Sequence, residues 1–178
     1  MQNKLILALA AFVLVFTSCE KQENEIIKQE QQQLTSEMKS GNSGKNFTAH
    51  LSGDEEVPPV ETNATGQAIF KLRSNGTELH YKLIVANIED VFMSHIHLAP
   101  SGANGPVVAW LYPSAPPPVL IPGPYNGVLA EGVITSEDLV GPLAGMELSE
   151  LLAKFNNGEC YVNVHTLDFP SGEIRGQI

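Results

Sequence analysis

The sequence has few cysteines, few basic residues and no long apolar run, and each shortage excludes a class of protein. Two cysteines in 178 residues are too few for a secreted scaffold held by disulfides. Ten Lys and Arg residues against twenty Asp and Glu give a net charge of −10, which disfavours nucleic-acid binding because phosphates repel an acidic protein. The apolar run at residues 5–16 is shorter than the about 20 residues that a membrane-spanning helix needs.

The apolar run near the start of the chain has the flanks of a secretory signal. Lys4 precedes it, and small residues lead from it into Cys19. The four residues that end in Cys19, FTSC, resemble a bacterial lipobox, whose cysteine becomes the lipidated first residue of the mature protein. We therefore predict a lipoprotein signal peptide over residues 1–18 and a lipid anchor at Cys19, which attaches the chain to the cell envelope at the outer membrane, on its periplasmic or surface face. The alternative is an ordinary secretory peptide cleaved near Ser18.

The next segment is polar, and the remainder is not. Residues 19–46 are rich in Gln, Glu, Asn, Ser and Gly and have little to bury, so we predict a disordered tether. Residues 47–178 hold the apolar residues of a core and are predicted to form the folded domain.

The folded domain shows the alternation of half-buried strands. Leu79, Tyr81 and Leu83 share one face of a segment whose other face carries His80 and Lys82. A turn at residues 74–77 joins this segment to the strand before it. The predicted strands are residues 47–52, 68–72, 79–85, 92–98, 106–111, 127–134, 160–166 and 173–178. Short strands separated by turns indicate an all-β fold, an antiparallel sandwich or barrel of the immunoglobulin or Cu/Zn superoxide dismutase type.

Two segments depart from this alternation. Leu148, Leu151, Leu152 and Phe155 have helical spacing and are followed by Gly158, which predicts one short helix that caps the sheet. Residues 114–124 contain three consecutive prolines and are predicted to form an extended surface loop, because proline cannot donate to a central strand.

Three histidines are the residues with the clearest metal chemistry. His95 and His97 lie two apart on a predicted strand, so their rings project from the same face. His165 lies on the polar face of a second predicted strand and joins them if the two strands pair. Neutral imidazoles suit Cu²⁺ or Zn²⁺, and Asp168 or Glu173 offers a further carboxylate ligand. The sequence therefore predicts a three-histidine copper or zinc site.

Other interpretations of these segments stay open. The histidines form a structural polar cluster if they bond only to neighbouring loops, or the centre of a metal-dependent redox or hydrolytic enzyme if a coordination position is open. The chain has no nucleophile elbow, phosphate-binding loop or dinucleotide motif, so catalysis is not the leading interpretation. A structural or adhesion protein would instead present the proline-rich loop with Trp110, Tyr112 and Tyr125 as an apolar patch.

The remaining reactive or charged residues are predicted to be structural. With Cys19 lipidated, Cys160 has no partner within the chain and is expected to be a buried free thiol. The carboxylates Glu55 and Glu56 and the side chains of His50 and His80 are expected to face solvent.

The motifs in the folded domain resemble those of the CHRD domain family. They are the segments LSGDEEVPPV at residues 51–60, HIH at 95–97, NGPVV at 104–108, GPLAG at 141–145, YVNVHT at 161–166 and PSGEIRGQ at 170–177. The resemblance implies a β-sandwich domain of extracellular or envelope proteins, with no catalytic residues to carry over. It implies a non-catalytic module that binds a protein or other ligand, and its His-x-His strand is similar to that of Cu/Zn superoxide dismutases.

Overall fold

Residues 45–178 are the part of the chain that the computed structural model describes. They form seven strands and one α-helix, which confirms the predicted all-β fold with a short helix. The strands are β1 (Asn46–Ser52), β2 (Thr65–Leu72), β3 (Leu79–Leu98), β4 (Val107–Tyr112), β5 (Ile121–Ile134), β6 (Cys160–Thr166) and β7 (Ile174–Gln177), and the helix is α1 (Leu148–Asn156). The predicted signal peptide, Cys19 and all but the last two residues of the predicted tether lie outside the described residues.

The strands pair antiparallel, and five of them close a barrel. Its order is β2-β1-β7-β6-β3, and β3 pairs in turn with β2. The two additional strands, β4 and β5, each pair with β3. The hairpin predicted from the turn at residues 74–77 is the β2–β3 pair, in which Leu72 is opposite Leu79. Of the two expected arrangements the structure adopts the barrel, because β3 is long enough to pair with four strands.

The prediction of separate strands at residues 79–85 and 92–98 is wrong, because β3 runs through both. Its backbone has a positive φ at Asn87 (55°) and Asp90 (51°), a conformation that asparagine and aspartate adopt more readily than most residues. The strand therefore bends without ending. Its first half pairs with β2 and β5, and residues after the bend pair with β4 and β6.

The predicted proline-rich loop is shorter than expected, because β5 already begins at Ile121. Pro122 and Pro124 lie within this strand, and both are exposed. Among the described strands β5 pairs only with β3, so it has a free edge on which proline is tolerated. The three consecutive prolines stay outside the strands, as predicted.

The helix supplies part of the barrel's apolar core. The predicted stripe from Leu148 to Phe155 is buried, and the chain turns away at Gly158, whose φ is +67°. The Phe155 ring meets Phe47 of β1 and Phe70 of β2, each edge-on with 5.2 Å between centroids. No helix in residues 45–178 has the length and apolarity to span a membrane.

Cys160 behaves as the buried thiol that the sequence predicted. It lies at the start of β6, is fully buried and forms no disulfide within the described residues. Burial raises the pKa of its thiol to about 12, so Cys160 stays protonated and packs as a small apolar side chain.

Candidate metal centre

Three of the five histidines come together on the barrel wall. His95 and His97 lie two apart on β3, so both project from the same face, and His165 lies on the adjacent strand β6. In the register of these strands His165 is opposite Met93 and His95 is opposite Asn163. One ring nitrogen from each histidine lies within 4.8 Å of the other two. The structure thus brings together the three histidines that the sequence grouped.

The face that carries the histidines is polar but closed to solvent. The exposed fractions of His95, His97 and His165 are 3%, 9% and 4%. All seven residues of β6 are buried, those on the polar face as well as those on the apolar face. The alternation along the strands predicted the polarity of this face. Its burial depends on the loops that cover it, and these have no periodic pattern in the sequence from which the burial could be predicted.

Two main-chain carbonyls fix the protonation of the rings. Nδ1 of His97 is 2.8 Å from the carbonyl oxygen of Gly105, and Nδ1 of His165 is 3.0 Å from that of Pro170. A carbonyl only accepts, so each Nδ1 carries the proton and each Nε2 presents a lone pair. Nε2 of His165 then accepts a hydrogen bond from Nδ1 of His95 at 3.2 Å. Because neutral His95 carries its proton on Nδ1, its Nε2 is unprotonated as well.

Burial keeps the three rings neutral. It lowers the pKa of His95 to about 3, with a further contribution from the neighbouring histidines. Burial also lowers the pKa of His165 to about 4 and lowers the pKa of His97. At neutral pH the cluster therefore carries no charge, and its lone pairs are available to a cation.

Several of the polar atoms at this site have no hydrogen-bond partner. The buried side-chain atoms of this kind in the described chain are Nε2 of His95, Nε2 of His97, Oε1 of Glu56 and Oδ1 of Asn163. A buried polar atom without a partner costs about 1–3 kcal/mol. Nε2 of His97 is an acceptor, and a metal cation satisfies such an atom directly.

Aromatic rings hold the imidazoles in place. The indole of Trp110 meets His95 edge-on with 4.2 Å between centroids, and Tyr161 stacks on His97 at 4.8 Å with 10° between the planes. The Phe92 ring lies 6.2 Å from His165. These contacts fix the ring orientations and surround the nitrogens with apolar surface.

The barrel and its histidine face coincide with a known domain. The model of the CHRD domain matches residues 47–178, which include every strand of the barrel except the first residue of β1. The chain belongs to the CHRD domain family. This confirms the resemblance found in the sequence.

One curated relative of this CHRD domain is chordin from Xenopus laevis. The two are 30% identical over 133 residues, which cover 72% of this chain but 12% of chordin. The similarity therefore concerns one domain of a much longer protein. No solved structure matches the chain.

Neither predicted carboxylate ligand joins the histidines of the CHRD domain. Asp168 is exposed in the turn after β6. Glu173 is buried, but its carboxylate accepts hydrogen bonds from the hydroxyls of Thr62 and Thr166, each at 2.7 Å. It thereby ties the loop before β2 to the end of β6, and the group of close ligand atoms consists of histidines alone within the described residues.

The three aromatic residues of the adhesion interpretation all make contacts within the domain. Trp110 packs on His95, and Tyr112 and Tyr125 are half-buried against the core. The hydroxyl of Tyr125 also donates to the carbonyl of Val128 at 2.6 Å. Trp110 is therefore part of the histidine site, while Tyr112 and Tyr125 stay partly exposed in the CHRD domain.

A buried arginine lies beside the histidines and was not singled out from the sequence. Arg175 is 1% exposed, and its guanidinium carbon lies 3.4 Å from the centroid of the Tyr161 ring. The guanidinium donates to Oδ1 of Asn104 at 3.2 Å and to the carbonyl of Pro100 at 3.3 Å. After burial, the charge of Arg175 is a further cause that lowers the pKa of His97. The site therefore has a fixed positive charge next to it.

The prediction that Glu56 is solvated is wrong, since it is 5% exposed. The 3-10 turn Gly53–Glu55 folds the chain back, so that Glu56 lies near Asn163 and Arg175. Gly172 makes this approach possible, because a β-carbon there would overlap Oε1 of Glu56. His50 is exposed and His80 partly exposed, in agreement with the sequence prediction.

Proposed function

We propose that this CHRD domain binds a transition-metal ion, copper or zinc, through His95, His97 and His165. The observation that carries the proposal is the pair of Nδ1 hydrogen bonds from His97 and His165 to main-chain carbonyls, which presents Nε2 of each ring as a lone pair. Metal-ligating histidines commonly donate their other ring N–H to a carbonyl in this way. Neutral imidazole nitrogen is a ligand that both copper and zinc accept.

Two of the three nitrogens already have the spacing of metal ligands. Nδ1 of His95 and Nε2 of His165 are 3.2 Å apart. Two nitrogen ligands at about 2.0–2.1 Å from a tetrahedral ion are about 3.3 Å apart. A metal between these atoms would take the place of their hydrogen bond, with the proton of neutral His95 moving to its Nε2, and would leave both atoms close to their present positions.

An unpaired nitrogen favours a metal site over a structural histidine cluster. A structural cluster is stable because its polar atoms bond to one another, yet Nε2 of His97 is buried without a partner. The same burial disfavours a metal-dependent envelope enzyme, since a catalytic metal keeps a position open to substrate. We therefore propose that the domain is a binding module rather than a catalyst.

We expect the purified, metal-depleted protein to bind about one equivalent of Zn²⁺ or Cu²⁺, and His97→Gln to weaken binding by more than about 100-fold. Gln keeps much of the size of the side chain but removes the imidazole lone pair. Isothermal titration calorimetry measures both, with thermal unfolding as a check that the variant folds. The matched control is His50→Gln, which alters an exposed histidine of β1 and should leave the affinity unchanged. Equal affinities for wild type and His97→Gln would refute the proposal.

We further propose that the protein is a bacterial lipoprotein of the cell envelope, anchored at Cys19 and separated from the membrane by residues 20–46. The FTSC sequence after an apolar run supports the anchor, and the polar composition of the next segment supports the tether.

Lipidation is expected to depend on one of the two cysteines only. Cells fed a clickable palmitate analogue should label the wild-type protein and the Cys160→Ala variant but not Cys19→Ser, because Cys160 is buried within β6. In-gel fluorescence of the immunoprecipitated protein reads the label. Label on Cys19→Ser, or none on the wild type, would contradict the anchor.

A further inference from the structure

Met93 extends the row of side chains on the histidine face. Met93, His95 and His97 alternate along β3 with residues that face the core, and the register from Met93 to His97 against β6 is regular. Met93 is directly opposite His165 in this register. Cross-strand partners have β-carbons about 4.5–5.5 Å apart, and the side chain of methionine has three rotatable bonds. Its thioether can therefore reach an ion held by His165 and His95.

The surroundings favour an ion that is soft and of low charge. Within the described residues the ligand group contains no carboxylate and no thiolate, so it does not neutralise a divalent ion. Arg175, which is buried and contacts the same Tyr161 ring as His97, adds a fixed positive charge nearby. Imidazole together with thioether sulfur is a ligand set that selects Cu⁺, whereas zinc and harder ions gain little from a thioether.

We propose that the ion of this site is copper as Cu⁺ and that Met93 supplies the fourth ligand beside the three histidines. This rests on the proposed function, of which it specifies the metal and its oxidation state. Met93 is partly exposed, whereas the three histidines are buried.

Two methionine variants separate a ligand from a merely apolar neighbour. Met93→Leu keeps the size and apolarity of the side chain and removes the sulfur. Met146→Leu is the matched control, because Met146 is 44% exposed and lies in the turn before α1, on none of the strands that carry the histidines. Both substitutions are nearly isosteric, so neither is expected to impair folding.

The experiment is an anaerobic competition between the purified protein and the Cu⁺ chelator bathocuproine disulfonate, followed by its absorbance. We expect Met93→Leu to lower the Cu⁺ affinity by at least about tenfold. The loss in Zn²⁺ affinity, measured by calorimetry, should be at least about tenfold smaller. Met146→Leu should match the wild type. X-ray absorption of the Cu⁺ complex should show one sulfur neighbour in the wild type and nitrogen neighbours alone in Met93→Leu.

The outcomes distinguish this inference from the proposed function. If Met93→Leu holds Cu⁺ as tightly as the wild type while His97→Gln does not, the inference is overturned and the three-histidine site stands. A wild type that binds Zn²⁺ but not Cu⁺ overturns it as well. If the wild type binds neither ion, the proposed function fails together with the inference.

Discussion

Replacement of Gly172 by alanine is expected to lower the free energy of unfolding by about 4 kcal/mol. Gly172 has a φ of +133°, a conformation that side chains other than glycine rarely adopt. A β-carbon at this position would also overlap Oε1 of Glu56 and lie 2.9 Å from Nδ2 of Asn163. Both neighbours are buried, so neither has room to move aside. Denaturation by urea measures the change.

The chain contains a matched control for this substitution. Gly127 has nearly the same φ, +134°, but nothing lies within 4 Å of a β-carbon there. Gly127→Ala therefore introduces the backbone strain without the overlap, and we expect it to lower the free energy of unfolding by about 1–3 kcal/mol. Equal losses for the two variants would show that Glu56 and Asn163 do not crowd Gly172.

Glu56→Gln is expected to gain stability relative to the wild type as the pH rises from about 4 to about 8. Burial raises the pKa of Glu56 from 4.5 to about 7, although the charge of Arg175 opposes the rise. Between these two pKa values the folded protein retains a proton that the unfolded chain releases, so the wild type loses stability as the pH rises. The loss is on the order of 3 kcal/mol, and glutamine, which does not ionise, avoids it.

Urea denaturation of both proteins at the two pH values tests this dependence. Both proteins contain the histidines, whose contribution therefore largely cancels in the difference between the two. Glu55→Gln is the control, since Glu55 is exposed and adjacent in the chain. A difference between Glu56→Gln and the wild type that is the same at both pH values would contradict the assigned pKa.

The sequence predicted those features that depend on local periodicity. The alternation around Val162 and Val164 predicted β6 over residues 160–166, the bounds that the structure has. Helical spacing likewise predicted α1, and two residues of separation placed His95 and His97 on one face. Local patterns were sufficient here because each concerns the side chains of a single element.

Several features that depend on contacts distant in the chain were not predicted. Two adjacent glutamates gave no sign that Glu55 is exposed and Glu56 is buried, because the burial arises from Gly172, more than a hundred residues away. Met93 gave no signal either, since its place opposite His165 follows from the β3–β6 register. The continuity of β3 through its bend was missed because Asn87 and Asp90 are also typical of turns.

The metal content of the protein tests the central claim most directly. The protein would be purified without an affinity tag, incubated with copper and zinc salts, freed of unbound metal and analysed by inductively coupled plasma mass spectrometry. The account predicts about one metal ion per chain in the wild type and close to none when His95, His97 and His165 are all replaced by Gln. A wild type that retains no metal, or a triple variant that retains as much as the wild type, would contradict it.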